Sequence, residues 1–273
     1  MAFRTILTHV VDDRACPIRL QTTASVARTL AADIIGLGAQ GPWPFASAAD
    51  GAGGRDFQQL VHMAREQVNR AEAVFKTRLI DPPLTRTWRG EVADPNAALA
   101  MHARAADLIL AYRPPSGADT SVYASPDALV MEAGLPVLLM PRQETEFRAE
   151  TILLAWKNTR EGRRAISVAM PLLTAAKRVL VAAVCSAREI GLIEAELADV
   201  ERRLGRNGVN ATTMLEVDAP GAAGRRLLNA SRNAGADLIV SGGYGHSRVR
   251  EWVLGGVTRD LIHDDRQFVF LTH

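Results

Sequence analysis

Short apolar runs alternate with longer segments of mixed polarity along the second half of the chain. The runs "ILLA", "VLVAAV" and "LIVS" are continuous, as is typical of strands buried on both faces of a sheet. The pattern predicts strands at 151–156, 178–184, 210–217, 237–241 and 267–272, and helices at 161–175, 188–206, 221–234 and 248–263. This alternation predicts a parallel sheet with right-handed crossovers and helices on both faces.

The first half of the chain resembles the second half in three places, in the same order. "FRTILTHV" at 3–10 matches "AETILLAW" at 149–156, "ARAADLILAYR" at 103–113 matches "RNAGADLIVSGGYG" at 232–245, and "GLPVLLMPR" at 134–142 matches "DRQFVFLTH" at 265–273. A tandem duplication explains this order. We place the boundary in the polar segment 142–150, which gives domains at 1–145 and 146–273. The Gly- and Pro-rich segment 41–56 is predicted to be a loop that lengthens the first half.

Composition narrows the class of protein. The 273 residues are 48% hydrophobic and 23% charged, which indicates a soluble globular chain, and no apolar stretch approaches the roughly 20 residues that a membrane span needs. A net charge of +2 argues against a dedicated nucleic-acid binder. The N-terminus lacks the pattern of a secretory signal, and Cys16 and Cys185 match no metal or CxxC spacing, so we expect a cytoplasmic protein with reduced thiols.

The segment "SGGYGHSRVREWVLGG" at 241–256 places five glycines directly after the apolar run 236–240. In an open α/β sheet, ligands bind beyond the carboxyl ends of the strands, where the strand order reverses. Gly242, Gly243 and Gly245 can adopt positive φ and let a ligand approach the backbone without a Cβ in the way. Gly255, Gly256 and the start of the next helix would offer N–H groups to an anion such as phosphate. A tight turn without a ligand is the alternative explanation for these glycines.

Gly242, Gly245 and Gly255, in a G-x-x-G-x9-G arrangement between "ADLIV" and "GGVT", resemble the glycine signature of universal stress proteins. The resemblance covers essentially the whole chain as two copies. It implies an α/β fold of two tandem doubly wound domains, each a five-stranded parallel sheet of order 3-2-1-4-5, similar to adenine nucleotide alpha hydrolases. It also implies that the signature binds the phosphates and ribose of ATP. The residues expected to bind ATP or another adenine nucleotide are Gly242, Gly245, Gly255, Gly256, Thr258, Lys157, Trp156, Val184 and His246.

Two residues depart from the pattern of the family. Gly256 stands where the family has Ser or Thr, which removes a hydroxyl but keeps the N–H. Lys157 stands where ATP-binding members carry Asp after the first strand, so that it either pairs with a phosphate or fills the adenine side with bulk. In the first half, Pro114 and Pro115 remove backbone donors and no glycine pair has the required spacing. We therefore expect the first half to lack a nucleotide site.

Other polar residues have both a functional and a structural interpretation. His246 either donates to a phosphate or acts as a base, or it is an exposed loop histidine. His9, with Asp12 and Asp13 nearby, is compatible with a metal or acid–base site, although three residues in one turn do not define one. Asp107 and Asp237 precede equivalent strands in the two halves, and a turn or capping role is expected for both.

The sequence supports three functional hypotheses. The leading one is a stress protein that binds a nucleotide in its second half without catalysis. Its two halves would pack against each other as an internal pseudo-dimer, and two chains either associate further as a homodimer or do not. The second is a structural or protein-interaction member without a ligand, and the third is a slow ATPase. No nucleophile elbow, P-loop, HExxH motif or catalytic-triad spacing is present, which argues against an enzyme.

Overall fold

The computed structural model describes residues 3–42, 54–79, 85–115, 117–119, 121–217, 222–243 and 256–273. The chain divides into two compact units, Ala2–Glu146 and Phe147–His273. Both units alternate strands with helices, and in both every strand pairing within the unit is parallel.

The N-terminal unit contains five strands in the order β3-β2-β1-β4-β5. Its strands are β1 (Thr5–His9), β2 (Asp33–Ala39), β3 (Arg86–Glu91), β4 (Leu108–Ala111) and β5 (Val137–Leu139). Its helices are α1 (Cys16–Leu30), α2 (Gly54–Arg78), α3 (Pro95–His102) and α4 (Pro126–Glu132), and a short 3-10 helix spans Ala103–Ala105.

The C-terminal unit repeats this order as β8-β7-β6-β9-β10, which is again 3-2-1-4-5 when its strands are numbered from its own first strand. Its strands are β6 (Thr151–Ala155), β7 (Arg178–Cys185), β8 (Ala211–Val217), β9 (Leu238–Gly242) and β10 (Phe268–Thr272). Its helices are α5 (Arg160–Ala175), α6 (Ile190–Gly205), α7 (Ala223–Asn233) and α8 (Gly256–His263). The predicted fold is therefore confirmed. The predicted helix start at residue 248 lies outside the described residues.

The inner strands of both sheets form the core, and their burial explains the apolar runs in the sequence. In β4 and β9, the residues Leu108, Ile109, Leu238 and Ile239 have no exposed surface. A strand that is covered by helices on both faces has no polar side, so its residues are apolar at every position. Burial of each such side chain stabilises the fold by about 1.5–3 kcal/mol.

Asp107 and Asp237 fasten the start of the first strand in each unit. The Asp107 carboxylate accepts the backbone N–H groups of Arg4 and Thr5 at 2.9 and 3.0 Å. Asp237 accepts those of Glu150 and Thr151 at 3.0 and 3.3 Å. Both residues lie at the amino ends of the strands, away from the carboxyl edge. Instead of the expected turn or cap, each holds backbone N–H groups that are distant in sequence.

Cys16 and Cys185 are both free and buried. Burial raises the pKa of the Cys16 thiol to about 11, which keeps it protonated and unreactive at neutral pH. Within the described ranges, no helix combines the length and apolar character needed to cross a bilayer. The same ranges hold no group of three or more His, Cys, Asp or Glu side chains arranged to bind a metal ion.

Candidate functional site

The sheet of the C-terminal unit reverses its strand order between β6 and β9. These strands are neighbours, with Ala155 opposite Ser241, and each is followed by a connection to its next helix. Crossovers on opposite faces leave a crevice beyond the carboxyl ends of two such strands. Trp156 and Lys157, which follow β6, and Gly242, which ends β9, therefore meet at this edge.

Gly242 is the last residue of β9, and its missing side chain makes room for helix α5. A Cβ atom at Gly242 would lie 2.6 Å from the carbonyl carbon of Glu161 and 2.7 Å from the backbone nitrogen of Gly162. Gly242 does not use the positive φ that a glycine permits, because it has strand geometry. Its glycine is required for the close approach of a helix to a strand end.

The amino end of α5 satisfies its own polar groups. Thr159 caps the helix, and its hydroxyl accepts the N–H of Gly162 at 3.1 Å. Burial of the Glu161 carboxyl acts to raise its pKa, but hydrogen bonds from its own N–H and from Thr159, with the charges of Arg160 and His273, outweigh burial and lower the pKa. A carboxylate in the first turn also complements the helix dipole. The Glu161 carboxylate therefore already compensates the positive end of the α5 dipole.

Helix α8 offers a different amino end. It begins at Gly256, which is exposed, and a Cβ atom there would have nothing within 4 Å. The first turn of any helix has backbone N–H groups that lack intrahelical partners. Thr258, in the same turn, is only 4% exposed, so it lies in the packed interior of the unit.

Trp156 and Lys157 differ in their surroundings although they are adjacent. Trp156 is buried, and its indole N–H donates to Glu196 of α6 at 3.3 Å. The other oxygen of Glu196 accepts from the Asn158 amide at 2.9 Å. Lys157 is exposed, and its charge contributes to lowering the pKa of Glu189, after the hydrogen bonds that Glu189 accepts from Ser186. The Lys157 ammonium is therefore near the turn that connects β7 to α6, where Glu189 lies.

Strand β7 extends the edge beyond the end of β6. Its Ala182 is opposite Ala155, the last residue of β6, and β7 continues to Cys185. Val184, which is half-buried, therefore lies beyond the end of β6, on the same side as Lys157. The structure thus brings four of the predicted binding residues, Trp156, Lys157, Val184 and Gly242, to one edge; their binding of a nucleotide stays a prediction.

The chain leaving β9 is tied to β10. The backbone N–H of Gly243 donates to the carbonyl of Thr272 at 2.7 Å, and His273 Nδ1 donates to the carbonyl of Gly243 at 3.2 Å. The Gly243 amide is therefore used by the protein itself. Three of the predicted binding residues, Gly245, His246 and Gly255, lie outside the described residues.

Sequence reasoning did not single out the polar residues that support this edge. Thr159 was recognisable in principle, because a threonine directly before a helical pattern is a strong N-cap signal. Glu161 stands in the first turn, where acidic residues are common. Glu196 lies 40 positions from Trp156 in the sequence, and no local pattern indicates that contact.

The corresponding edge of the N-terminal unit is filled by its own side chains. Arg19 forms an ion pair with Asp13 at 2.8 Å, and its guanidinium carbon lies 4.1 Å from the centre of the Tyr112 ring. The Tyr123 hydroxyl donates to Asp13 at 2.9 Å. Asp13 is committed to these partners and His9 is buried, so these two do not combine into a metal site.

The chain is similar to known proteins in structure rather than in sequence. No protein-family model matches the chain, and no curated protein matches its sequence. Among solved structures, a universal stress protein from Archaeoglobus fulgidus DSM 4304 superposes with a TM-score of 0.70, covering 98% of this chain and 97% of its own at 13% identity. The chain has the universal stress protein fold.

Two further structures share this fold over nearly the whole chain. A functionally unknown protein from Pseudomonas aeruginosa PAO1 has a TM-score of 0.61 at 16% identity, covering 99% of this chain and 92% of its own. A candidate universal stress protein from Pseudomonas aeruginosa UCBPP-PA14 also has a TM-score of 0.61, at 17% identity, covering 99% and 93%. The universal stress protein fold therefore extends over both units.

Proposed function

We propose that this chain is a tandem universal stress protein whose C-terminal unit binds an adenine nucleotide, with ATP as the first candidate. The observation that carries the proposal is the meeting of Trp156, Lys157, Val184 and Gly242 at the strand edge where the order of the sheet reverses. Crevices at this position are the common ligand sites of open α/β sheets.

In this proposal the phosphates bind at the amino end of helix α8. Its exposed first residue, Gly256, presents backbone N–H groups and the positive end of the helix dipole, and no side chain of its own obstructs them. Helix α5 is a poorer phosphate site because Glu161 already supplies a negative charge there. The base would lie toward Val184 and Lys157, on the β7 side.

The proposed activity is binding rather than catalysis. The carboxylates described near this edge are engaged in structural contacts: Glu161 at the first turn of α5, and Glu196 with Trp156 and Asn158. General-base chemistry requires a group positioned to take a proton from the reacting molecule. A nucleotide held here would act as a signal or a stabilising ligand.

One observation favours the alternative of a structural or protein-interaction protein. Gly242, part of the glycine signature, is needed for packing against α5 even if no ligand ever binds. A signature glycine with a packing role does not by itself require a nucleotide. Binding measurements must therefore decide between these functions.

The test is isothermal titration calorimetry of the full chain with ATP, AMP and cyclic AMP. We compare the natural protein with Gly256→Ser, which restores the hydroxyl of the family pattern at an open position. Gly205→Ser is the matched control, since Gly205 is equally open but ends α6 at the opposite edge of the sheet.

The proposal predicts that the natural chain binds ATP and that Gly256→Ser binds it about tenfold more tightly, because a hydrogen bond to a charged phosphate contributes roughly 1.5 kcal/mol. Gly205→Ser should bind like the natural chain. If neither the natural chain nor Gly256→Ser gives binding heat with millimolar nucleotide, the proposal is refuted. The structural or protein-interaction function would then remain.

A further inference from the structure

A small cavity lies in the N-terminal unit, beside the carboxyl ends of β1 and β4. It has a volume of about 10 Å³. His9, the last residue of β1, and Tyr112, directly after β4, line it together with apolar side chains such as Leu99, Ala124 and Leu129. A single water molecule needs roughly 10–15 Å³, so the space suits one molecule of that size.

Two of the lining residues each have a polar atom without a protein partner among the described residues. His9 and Tyr112 are only 4% and 8% exposed, and neither His9 Nδ1 nor the Tyr112 hydroxyl has a hydrogen-bond partner in the part of the chain that the structure describes. Buried polar groups in native proteins are nearly always bonded to protein or to ordered water. These two atoms therefore require a partner, and both residues line the same cavity.

The tautomer of His9 defines what that partner must be. Its Nε2 lies 2.9 Å from the carbonyl oxygen of Ala39, and a carbonyl only accepts, so Nε2 carries the hydrogen. Burial lowers the pKa of His9 to about 4, so the ring is neutral at ordinary pH. Nδ1 consequently carries a lone pair, which repels an anion and requires a hydrogen-bond donor.

Tyr112 is held in a fixed position to complete the site. Its ring is nearly parallel to the His9 ring, with an interplanar angle of 10° and centroids 6.5 Å apart. The Arg19 guanidinium lies over the same ring, and Arg19 is itself fixed by Asp13. A hydroxyl fixed in this way both donates and accepts, and so complements a small molecule that does the same.

We propose that this cavity is a binding site for one internal water molecule, which donates a hydrogen bond to His9 Nδ1 and forms a second with the Tyr112 hydroxyl. The site is independent of the nucleotide site proposed for the C-terminal unit. It gives the carboxyl edge of the N-terminal sheet a neutral, water-sized ligand in a position where phosphate is disfavoured.

The test is a set of crystal structures of the full chain at a resolution that shows ordered water. The natural chain is compared with Tyr112→Phe, which removes only the hydroxyl from the cavity. Tyr123→Phe is the matched control, because the Tyr123 hydroxyl bonds to Asp13 and does not line the cavity. The ¹⁵N chemical shifts of the His9 ring, measured in solution on the natural chain, give a second readout.

We expect one solvent peak within hydrogen-bond distance of both atoms in the natural chain and in Tyr123→Phe, and its loss or displacement in Tyr112→Phe. The shifts should report an Nε2–H tautomer whose Nδ1 accepts a hydrogen bond. A dry cavity, a protein group bonded to His9 Nδ1, or density for an anion would each overturn the proposal.

Discussion

At the scale of single residues, two glycines of one sequence motif serve different purposes. Gly242 leaves space for the backbone of α5, whereas Gly256 begins α8 with open space around it. The sequence alone assigns both to ligand binding, because a glycine pattern does not distinguish close packing of the backbone from close approach of a ligand. Only the position of Glu161 and Gly162 against the strand end separates the two roles.

Gly242→Ala is therefore expected to destabilise the protein by about 1–3 kcal/mol, the usual cost of overpacking, since backbone rather than a flexible side chain must move. Urea unfolding followed by circular dichroism measures this. The control Gly205→Ala, in open space at the end of α6, should be neutral or stabilising by up to about 1 kcal/mol. Equal effects of both substitutions would contradict the packing role of Gly242.

His9 should make the N-terminal unit sensitive to acid. Its pKa is about 4 in the folded protein because of burial, against 6.5 in an unfolded chain. Between these pH values the unfolded chain binds more protons, so stability is complete above about pH 6.5 and falls as the pH drops toward 4. The free energy of unfolding should decrease by about 3 kcal/mol over this interval from His9 alone.

Denaturant titrations at several pH values check this expectation. His9→Leu serves as the reference, because it replaces the titrating ring with an apolar side chain that does not titrate. The free energy of unfolding of the natural chain minus that of His9→Leu should fall by about 3 kcal/mol as the pH drops from about 6.5 toward 4. A constant difference from pH 7 to pH 4 would show that His9 does not titrate as its burial indicates.

At the scale of elements, the apolar runs were sufficient to predict the strands of the C-terminal unit, which begin and end within two residues of their expected positions. Strands buried on both faces leave a strong signal because every position is apolar. The contacts between elements were not predictable in the same way. The bond from Trp156 to Glu196 and the fit of Gly242 against α5 depend on how helices cross the sheet, which no local pattern records.

The aspartates that fasten the first strands provide a paired prediction. Asp237→Ala should destabilise the protein by about 2 kcal/mol and Asp107→Ala by about 1 kcal/mol, because each removes a charged acceptor from two backbone N–H groups but Asp107 is the more exposed. Thermal unfolding of the two variants gives the comparison. A larger loss for Asp107→Ala would reverse the ranking that burial predicts.

At the scale of the whole molecule, the two units share one strand order but differ in the side chains at the carboxyl ends of their strands. In the N-terminal unit, Arg19, Asp13 and Tyr112 fill the carboxyl edge with paired charges and aromatic rings. In the C-terminal unit, the same edge carries Gly242 and the exposed start of α8, next to Trp156 and Lys157. The sequence indicates the difference through Pro114 and Pro115 and the missing glycine pair, but not which side chains fill the first edge.

The most direct test of the central claim is a crystal structure of the chain soaked with ATP. We predict density for one adenine nucleotide in the C-terminal unit, with phosphates at the N–H groups of Gly256 and the base beside Val184 and Lys157. The N-terminal unit should show none. Continuous density for the chain's own side chains across the C-terminal crevice, with no nucleotide at saturating ATP, would contradict the account.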